Sequence, residues 1–231
     1  MARRKKNQKK SDETLVDIVE VRDQAQNFLD RNRNLVFGAL VGAVVLFGGW
    51  FAYNNFYSKP RADEAVAAMM QAQIQFDRDS FALALTNPGG GKLGFLDIID
   101  TYTGTPSSNL ANYYAGISYL NLGNYQIAID YLQDYSPSGE ITPAMKNGAI
   151  GDAYSELNDF DSALKYYKRA VSATDNDVIT PYYLKKLGLL HEYQKNFTEA
   201  KSAFQRIKDE YPTSTYGSDI DKYLARVSTS K

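Results

Sequence analysis

The chain has 231 residues, 44% of them hydrophobic, with 26 Lys plus Arg against 27 Asp plus Glu and no cysteine. Length and composition allow one sizeable core or two small ones. The absent cysteines exclude thiolate metal sites, cysteine nucleophiles, disulfides and a lipidated N-terminal cysteine, and the balanced charge excludes the global basic field with which a nucleic-acid binder gathers phosphates.

The charge is unevenly placed. Residues 1–33 hold nine Lys/Arg and six Asp/Glu, so the remaining body is mildly acidic. Leu15, Ile18, Val19, Ala25, Phe28 and Leu29 recur at helical spacing among polar residues and predict a short amphipathic helix over 14–30. No charged residue stands between Arg33 and Lys59. Residues 34–58 are therefore predicted to form a transmembrane helix: roughly 20 apolar residues cross the ~30 Å hydrocarbon core, and the polar face that a globular core helix would carry is missing at every helical phase. A cleaved signal peptide has the same basic, apolar, polar order. Against it, the leading segment is too long, and Trp50, Phe51, Tyr53, Phe56 and Tyr57 stand where small cleavage residues would be, as an interfacial aromatic belt does.

Arg3, Arg4, Lys5, Lys6, Lys9, Lys10, Arg22, Arg31 and Arg33 precede the span, whereas Lys59 and Arg61 behind it are offset by Asp63 and Glu64. The positive-inside bias then places the N-terminus in the cytoplasm and residues 59–231 in the periplasm or its equivalent. The basic run is either a topogenic tail or a binder of anionic membrane lipid, at ~1 kcal/mol per charge near the surface. Gly38 and Gly42 form a small-xxx-small pair that would let a second helix approach closely, or they reflect only the frequency of glycine in membrane helices.

Beyond the span, residues 61–79 and 93–102 read as two helices, a degenerate first pair within 59–108, separated by a turn-rich insertion, 81–92, that ends Asn87-Pro-Gly-Gly-Gly-Lys92. From residue 109 the chain repeats itself. Asn112, Ala115, Gly116, Tyr119, Tyr125, Ala128 and Leu132 are followed by Asn147, Ile150, Gly151, Tyr154, Phe160, Ala163 and Tyr167. The third copy reads Leu184, Leu187, Gly188, His191, Phe197, Ala200 and Phe204, with Ile207 and Pro212 beyond. The glycines, 35 and 37 residues apart, and the alanines would let paired helices pack closely while the aromatics fill the space around them. This pattern resembles the tetratricopeptide repeat, a two-helix unit of about 34 residues with large-x2-Leu-Gly-x2-Tyr, Ala-x3-aromatic and a closing Pro. The expectation is an all-α chain: a transmembrane helix, then an α-solenoid over 109–231 closed by a capping helix at Ser218–Val227 with a polar outer face.

Several motifs carry no chemistry. Gly89-Gly-Gly-Lys92 lacks both the first glycine and the hydroxyl of a phosphate loop, with Thr86 and Leu93 in those places. The single histidine, His191, occupies the slot of Tyr119 and Tyr154 and reads as a packing residue. Asp175-Asn-Asp177 begins like a calcium loop without its glycine or closing glutamate. Asn196-Phe-Thr198 is a glycosylation sequon, relevant only in a eukaryotic secretory compartment. No catalytic constellation, cofactor site or metal site is expected.

The resemblance to tetratricopeptide repeats implies a concave binding surface formed by the second, fifth, ninth, twelfth and thirteenth positions of each inner helix. Here these are Leu110, Tyr113, Ile117, Leu120 and Asn121; Met145, Gly148, Asp152, Ser155 and Glu156; and Tyr182, Lys185, Leu189, Glu192 and Tyr193. The mixture is apolar and aromatic with acidic spots. Only Lys185 and Asn121 could help clamp a peptide's terminal carboxylate, so a segment offering apolar side chains fits better. The alternative is that these residues contact the insertion or the capping helix of the chain itself.

The whole layout, from basic start through Gly-rich span to Ala-rich helix and repeats, resembles the YfgM type of bacterial inner-membrane protein. That resemblance implies a non-catalytic accessory subunit of the Sec translocon, with the SecYEG channel and a PpiD-like periplasmic chaperone as partners and nascent secretory proteins as clients. The alternative is a membrane-anchored scaffold for another cell-envelope assembly.

Overall fold

The computed structural model describes residues 21–229. The basic run Arg3–Lys10 and the first part of the expected amphipathic helix lie outside the described residues. The chain divides into two compact units, Met1–Lys59 and Pro60–Lys231, and no strand occurs among the described residues.

In the first unit, residues 21–31 are helical. At Asn32, a turn between the two helical stretches, the amide side chain and the backbone N–H both donate to the Phe28 carbonyl, at 2.9 and 3.0 Å. Helix α1, Arg33–Tyr53, follows, and a single π-helical turn, Asn54–Ser58, ends the apolar segment. The 21 residues of α1 span roughly 31 Å at the α-helical rise, long and apolar enough to cross a membrane. Four glycines in one helix would each cost about 1 kcal/mol relative to alanine in water. In hydrocarbon the penalty for unpaired backbone groups holds the helix together regardless. No side chain of α1 is buried, and a Cβ added at Gly38 or Gly42 would touch nothing. Phe47 lies 5.9 Å from Trp50, and Tyr53 lies 5.3 Å from Tyr57.

The second unit is a helical repeat solenoid. Its helices are α2 (Lys59–Phe76), α3 (Phe81–Thr86), α4 (Phe95–Thr101), α5 (Pro106–Asn121), α6 (Tyr125–Asp134), α7 (Thr142–Glu156), α8 (Phe160–Ala173), α9 (Ile179–Tyr193), α10 (Phe197–Glu210) and α11 (Ile220–Thr229). The pairs α5/α6, α7/α8 and α9/α10 are three copies of one unit, joined inside by the same turn. In each, the second residue after the inner helix is left-handed: Gly123 at φ 77°, Asn158 at 60° and Lys195 at 62°. The following amide reaches back five residues and the left-handed residue's own amide three, as in Asn124 to Tyr119 at 2.9 Å and Gly123 to Leu120 at 3.1 Å. This Schellman arrangement satisfies the last carbonyls of the inner helix.

The repeated glycines have one steric role. A Cβ at Gly116 would meet Leu132 at 2.6 Å, at Gly151 the Tyr167 ring at 2.7 Å, and at Gly188 the Phe204 ring at 2.4 Å. Each outer helix thus drives one large side chain into a gap that only glycine leaves on the inner helix, and Ala128, Ala163 and Ala200, all fully buried, bring the two backbones together opposite it.

The chain before the first clear repeat follows the same plan with an interruption. Helix α2 ends in the same Schellman turn at Asp79, φ 56°, and Phe81 and the buried Ala84 stand where Tyr125 and Ala128 stand one unit later. The outer helix is then cut. It runs only to Thr86, leaves as the Asn87–Gly94 loop and resumes as α4, so its first turns fall inside the 81–92 segment read from sequence as wholly turn-rich. The loop is pinned where the Pro88 carbonyl accepts from Gln75 at 3.0 Å and Gln71 at 3.4 Å, and Gly94 packs against the Leu85 carbonyl too closely for any side chain.

At the far end α11 covers the last outer helix. Ile220 and Val227 are buried against the core of the third repeat, while Asp221, Lys222 and Arg226 stay at the surface, so apolar burial closes the stack and charge keeps its outer face wet.

Candidate protein-binding cleft

The inner helices α5, α7 and α9 lie side by side, and their late positions open a cleft of about 710 Å³. Of the residues that the repeat pattern assigns to the concave surface, Leu120, Asn121, Asp152, Ser155, Glu156, Leu189 and Tyr193 line it. Tyr125, Asn158, Phe160, Tyr167, Lys186 and Leu190 complete the lining. None of these residues comes from the 81–92 insertion.

The early positions are placed differently. Tyr113 is half-buried, its ring 5.3 Å from Tyr135 and 6.0 Å from Tyr114, and burial, with the neighbouring Tyr135, pushes its hydroxyl pKa up to about 12. Gly148 leaves room for the Tyr183 ring, which lies where a Cβ would be, at 1.9 Å. Tyr183 in turn packs at 4.9 Å on Tyr182. Tyrosines therefore fill this level of the concave face. Leu110 and Met145 lie at the same level, outside the cleft lining, and Ile117 is packed into the core with Ile129 and Leu132.

In the third repeat the early positions engage the C-terminal segment. Tyr182 stacks at 5.7 Å on Tyr216, and the Lys185 ammonium sits 5.2 Å from the Tyr216 ring and 5.0 Å from Tyr223. Glu192 accepts two hydrogen bonds from the guanidinium of Arg226 on α11. Of the two sequence-level alternatives for Tyr182, Lys185 and Glu192, the structure places these side chains against the chain's own capping region.

A polar triad forms the cleft floor. Lys186 donates to Asp152 Oδ1 at 2.6 Å, and the Tyr167 hydroxyl donates to the same oxygen at 2.7 Å. Burial works against the charged Lys186, but Asp152 and Tyr182 outweigh it and hold the lysine pKa above its usual value. Burial, and then the Asp152 carboxylate, push Tyr167 far up, so it is a permanent donor. The triad ties two inner helices and one outer helix together. Lys186, Tyr167, Tyr125 and Phe160, with Asn158 and Leu190, are the cleft residues that reading the inner-helix positions misses. Tyr125, Phe160 and Tyr167 belong to outer helices, and the signal for Tyr167 is its register with Gly151, whose bare backbone lets the ring pass through to the concave side.

Among the described residues no three His, Cys, Asp or Glu side chains converge to hold a metal ion. His191 is 6% exposed and stands in the slot that in the earlier repeats holds Tyr119 stacked at 5.5 Å on Tyr131 and Tyr154 stacked at 5.4 Å on Tyr166. Its Nδ1 is buried without a hydrogen-bond partner.

Two family models of the tetratricopeptide repeat match the sequence, over residues 110–136 and 149–215. The matched segments cover α5 with α6 and most of the run from α7 to the end of α10, so these helix pairs are tetratricopeptide repeats. None of the curated proteins matches it. Such repeats are typically non-catalytic scaffolds that bind protein partners.

Proposed function

We propose that the chain is a membrane-anchored, non-catalytic interaction protein whose cleft holds a segment of a partner polypeptide. The observation that carries this reading is the open cleft of about 710 Å³, walled by Leu120, Leu189, Phe160 and Tyr193. The cleft is open rather than enclosed, which suits a chain segment better than a small cofactor. The apolar α1 supplies the anchor, and the excess of Lys and Arg before it puts the repeats on the far side of the membrane.

The place of action in this proposal is the Sec translocon. The order of basic start, span and repeats is that of the YfgM type, and in this role α1 docks beside the SecYEG channel while the cleft holds a PpiD-like chaperone or an emerging secretory chain. Photocrosslinking in cells tests both parts, with the photoreactive residue at Gly38, Gly42 or Val45 in the span and at Leu189 or Tyr193 in the cleft. The expected result is crosslinks to the channel from the span and to a chaperone or secreted chains from the cleft. Crosslinks confined to other envelope proteins would replace the translocon with another assembly, for which the chain would be the scaffold.

A further inference from the structure

Three side chains that are charged at neutral pH line the cleft: Asp152, Glu156 and Lys186. Two cancel, because Asp152 and Lys186 are in contact at 2.6 Å and Tyr167 supplies a further donor to the carboxylate. Glu156 is left over. It is exposed at the C-terminal end of α7, where the helix dipole already disfavours a negative charge. Its side-chain contact is one long hydrogen bond, 3.3 Å, from the Tyr125 hydroxyl. Around it the cleft presents aromatic faces: Tyr125, Phe160, and Tyr193, which is 70% exposed and held edge-on to Phe160 at 5.2 Å. Leu120 and Leu189 provide the apolar ground beside them.

A carboxylate with unused acceptor capacity, sharing a cleft with tyrosine and phenylalanine rings, is complementary to a cationic side chain. The cation donates a charge-assisted hydrogen bond to the carboxylate and gains quadrupole attraction from the rings, and a guanidinium suits both because it is planar and forked. We infer that the partner segment is basic-apolar: an arginine or lysine seats on Glu156 against the Tyr125 and Tyr193 rings, and an adjoining apolar side chain lies on Leu120 and Leu189. This rests on the reading of the cleft as a peptide site. It makes Lys186 a structural cation, held by Asp152, rather than a clamp for acidic ligands.

The test is a display selection of random dodecapeptides on the full-length protein in detergent micelles, in parallel on Glu156→Gln and on a Leu189→Asp/Tyr193→Ala variant, with circular dichroism melts to show that each is folded. The expected result is enrichment of peptides with Arg or Lys beside an apolar residue on the wild type. The best of these should bind Glu156→Gln roughly tenfold more weakly, the scale of one charge-assisted contact. Enrichment of neutral or acidic peptides, or a basic preference unchanged in Glu156→Gln, would overturn the inference and leave the cleft reading intact. Equal selection on the wild type and the Leu189→Asp/Tyr193→Ala variant would overturn the cleft reading itself.

Discussion

Lys195 shows how a single position can depart from the residue its conformation prefers. The left-handed turn residue is Gly123 in the first repeat and Asn158 in the second, both residue types that tolerate it, but a lysine in the third at φ 62°. A Cβ in this region costs of order 1 kcal/mol. Lys195→Gly should therefore raise unfolding stability by about 0.5–1 kcal/mol despite the added freedom of the unfolded chain, read as a higher urea midpoint.

His191 departs in the other direction, a titratable ring in a tyrosine slot. Burial, and then the nearby Lys168, lower its pKa, with Glu199 opposing in part. The unfolded chain then binds a proton that the folded chain refuses, so the contribution of His191 is fully present above the ordinary histidine pKa of about 6.5 and is lost as pH falls below it. Urea midpoints should fall between pH 7.5 and 5.5, and His191→Gln should flatten the His191 part of that slope. The same slope in the variant would show that other groups carry it.

At the scale of the element, the repeat unit is a local device and its coupling to the next unit is not. Turn, cap and glycine gap all lie within a single helix pair. The Asp152–Lys186 bridge instead joins α7 to α9, with each side chain about a quarter exposed. Breaking a fully buried pair can cost 3–5 kcal/mol, and partial exposure reduces this. Lys186→Met and Asp152→Asn should each destabilise by about 1–2 kcal/mol and show a coupling of roughly 1 kcal/mol in a double-mutant cycle, measured by chemical denaturation. Coupling near zero would mean that Tyr167 alone satisfies the carboxylate. The insertion in the first pair lies at this scale too. Its glycines mark a loop in the sequence, but the α3 turn before it was hidden, because Phe81 and Ala84 announce an outer helix only once they are aligned with Tyr125 and Ala128.

For the molecule as a whole, the decisive property is the apolar length of α1. Leu40→Arg with Val44→Arg adds about 2.5–3.5 kcal/mol per charge at mid-span on the insertion scale. The variant should leave the carbonate-washed membrane pellet for the soluble fraction, whereas wild type stays. Retention of the variant in the pellet would contradict a spanning α1.

What the sequence by itself determined is whatever is local or periodic. The uncharged run between Arg33 and Lys59, the glycines and alanines that recur with the repeat and the Tyr/His slot need only short-range spacing to be read, and they delivered the all-α class and the register of three repeats. The tertiary structure decided which part of the concave face is open. Fifteen inner-helix positions looked equivalent in the sequence, yet Gly148 admits Tyr183, which arrives from the next repeat and closes the early level, while Tyr167 reaches Asp152 from the outer helix and sets the floor of the late one. Those outcomes depend on which rings fill which gap across a helix interface, and close packing settles that only when both neighbours are in place.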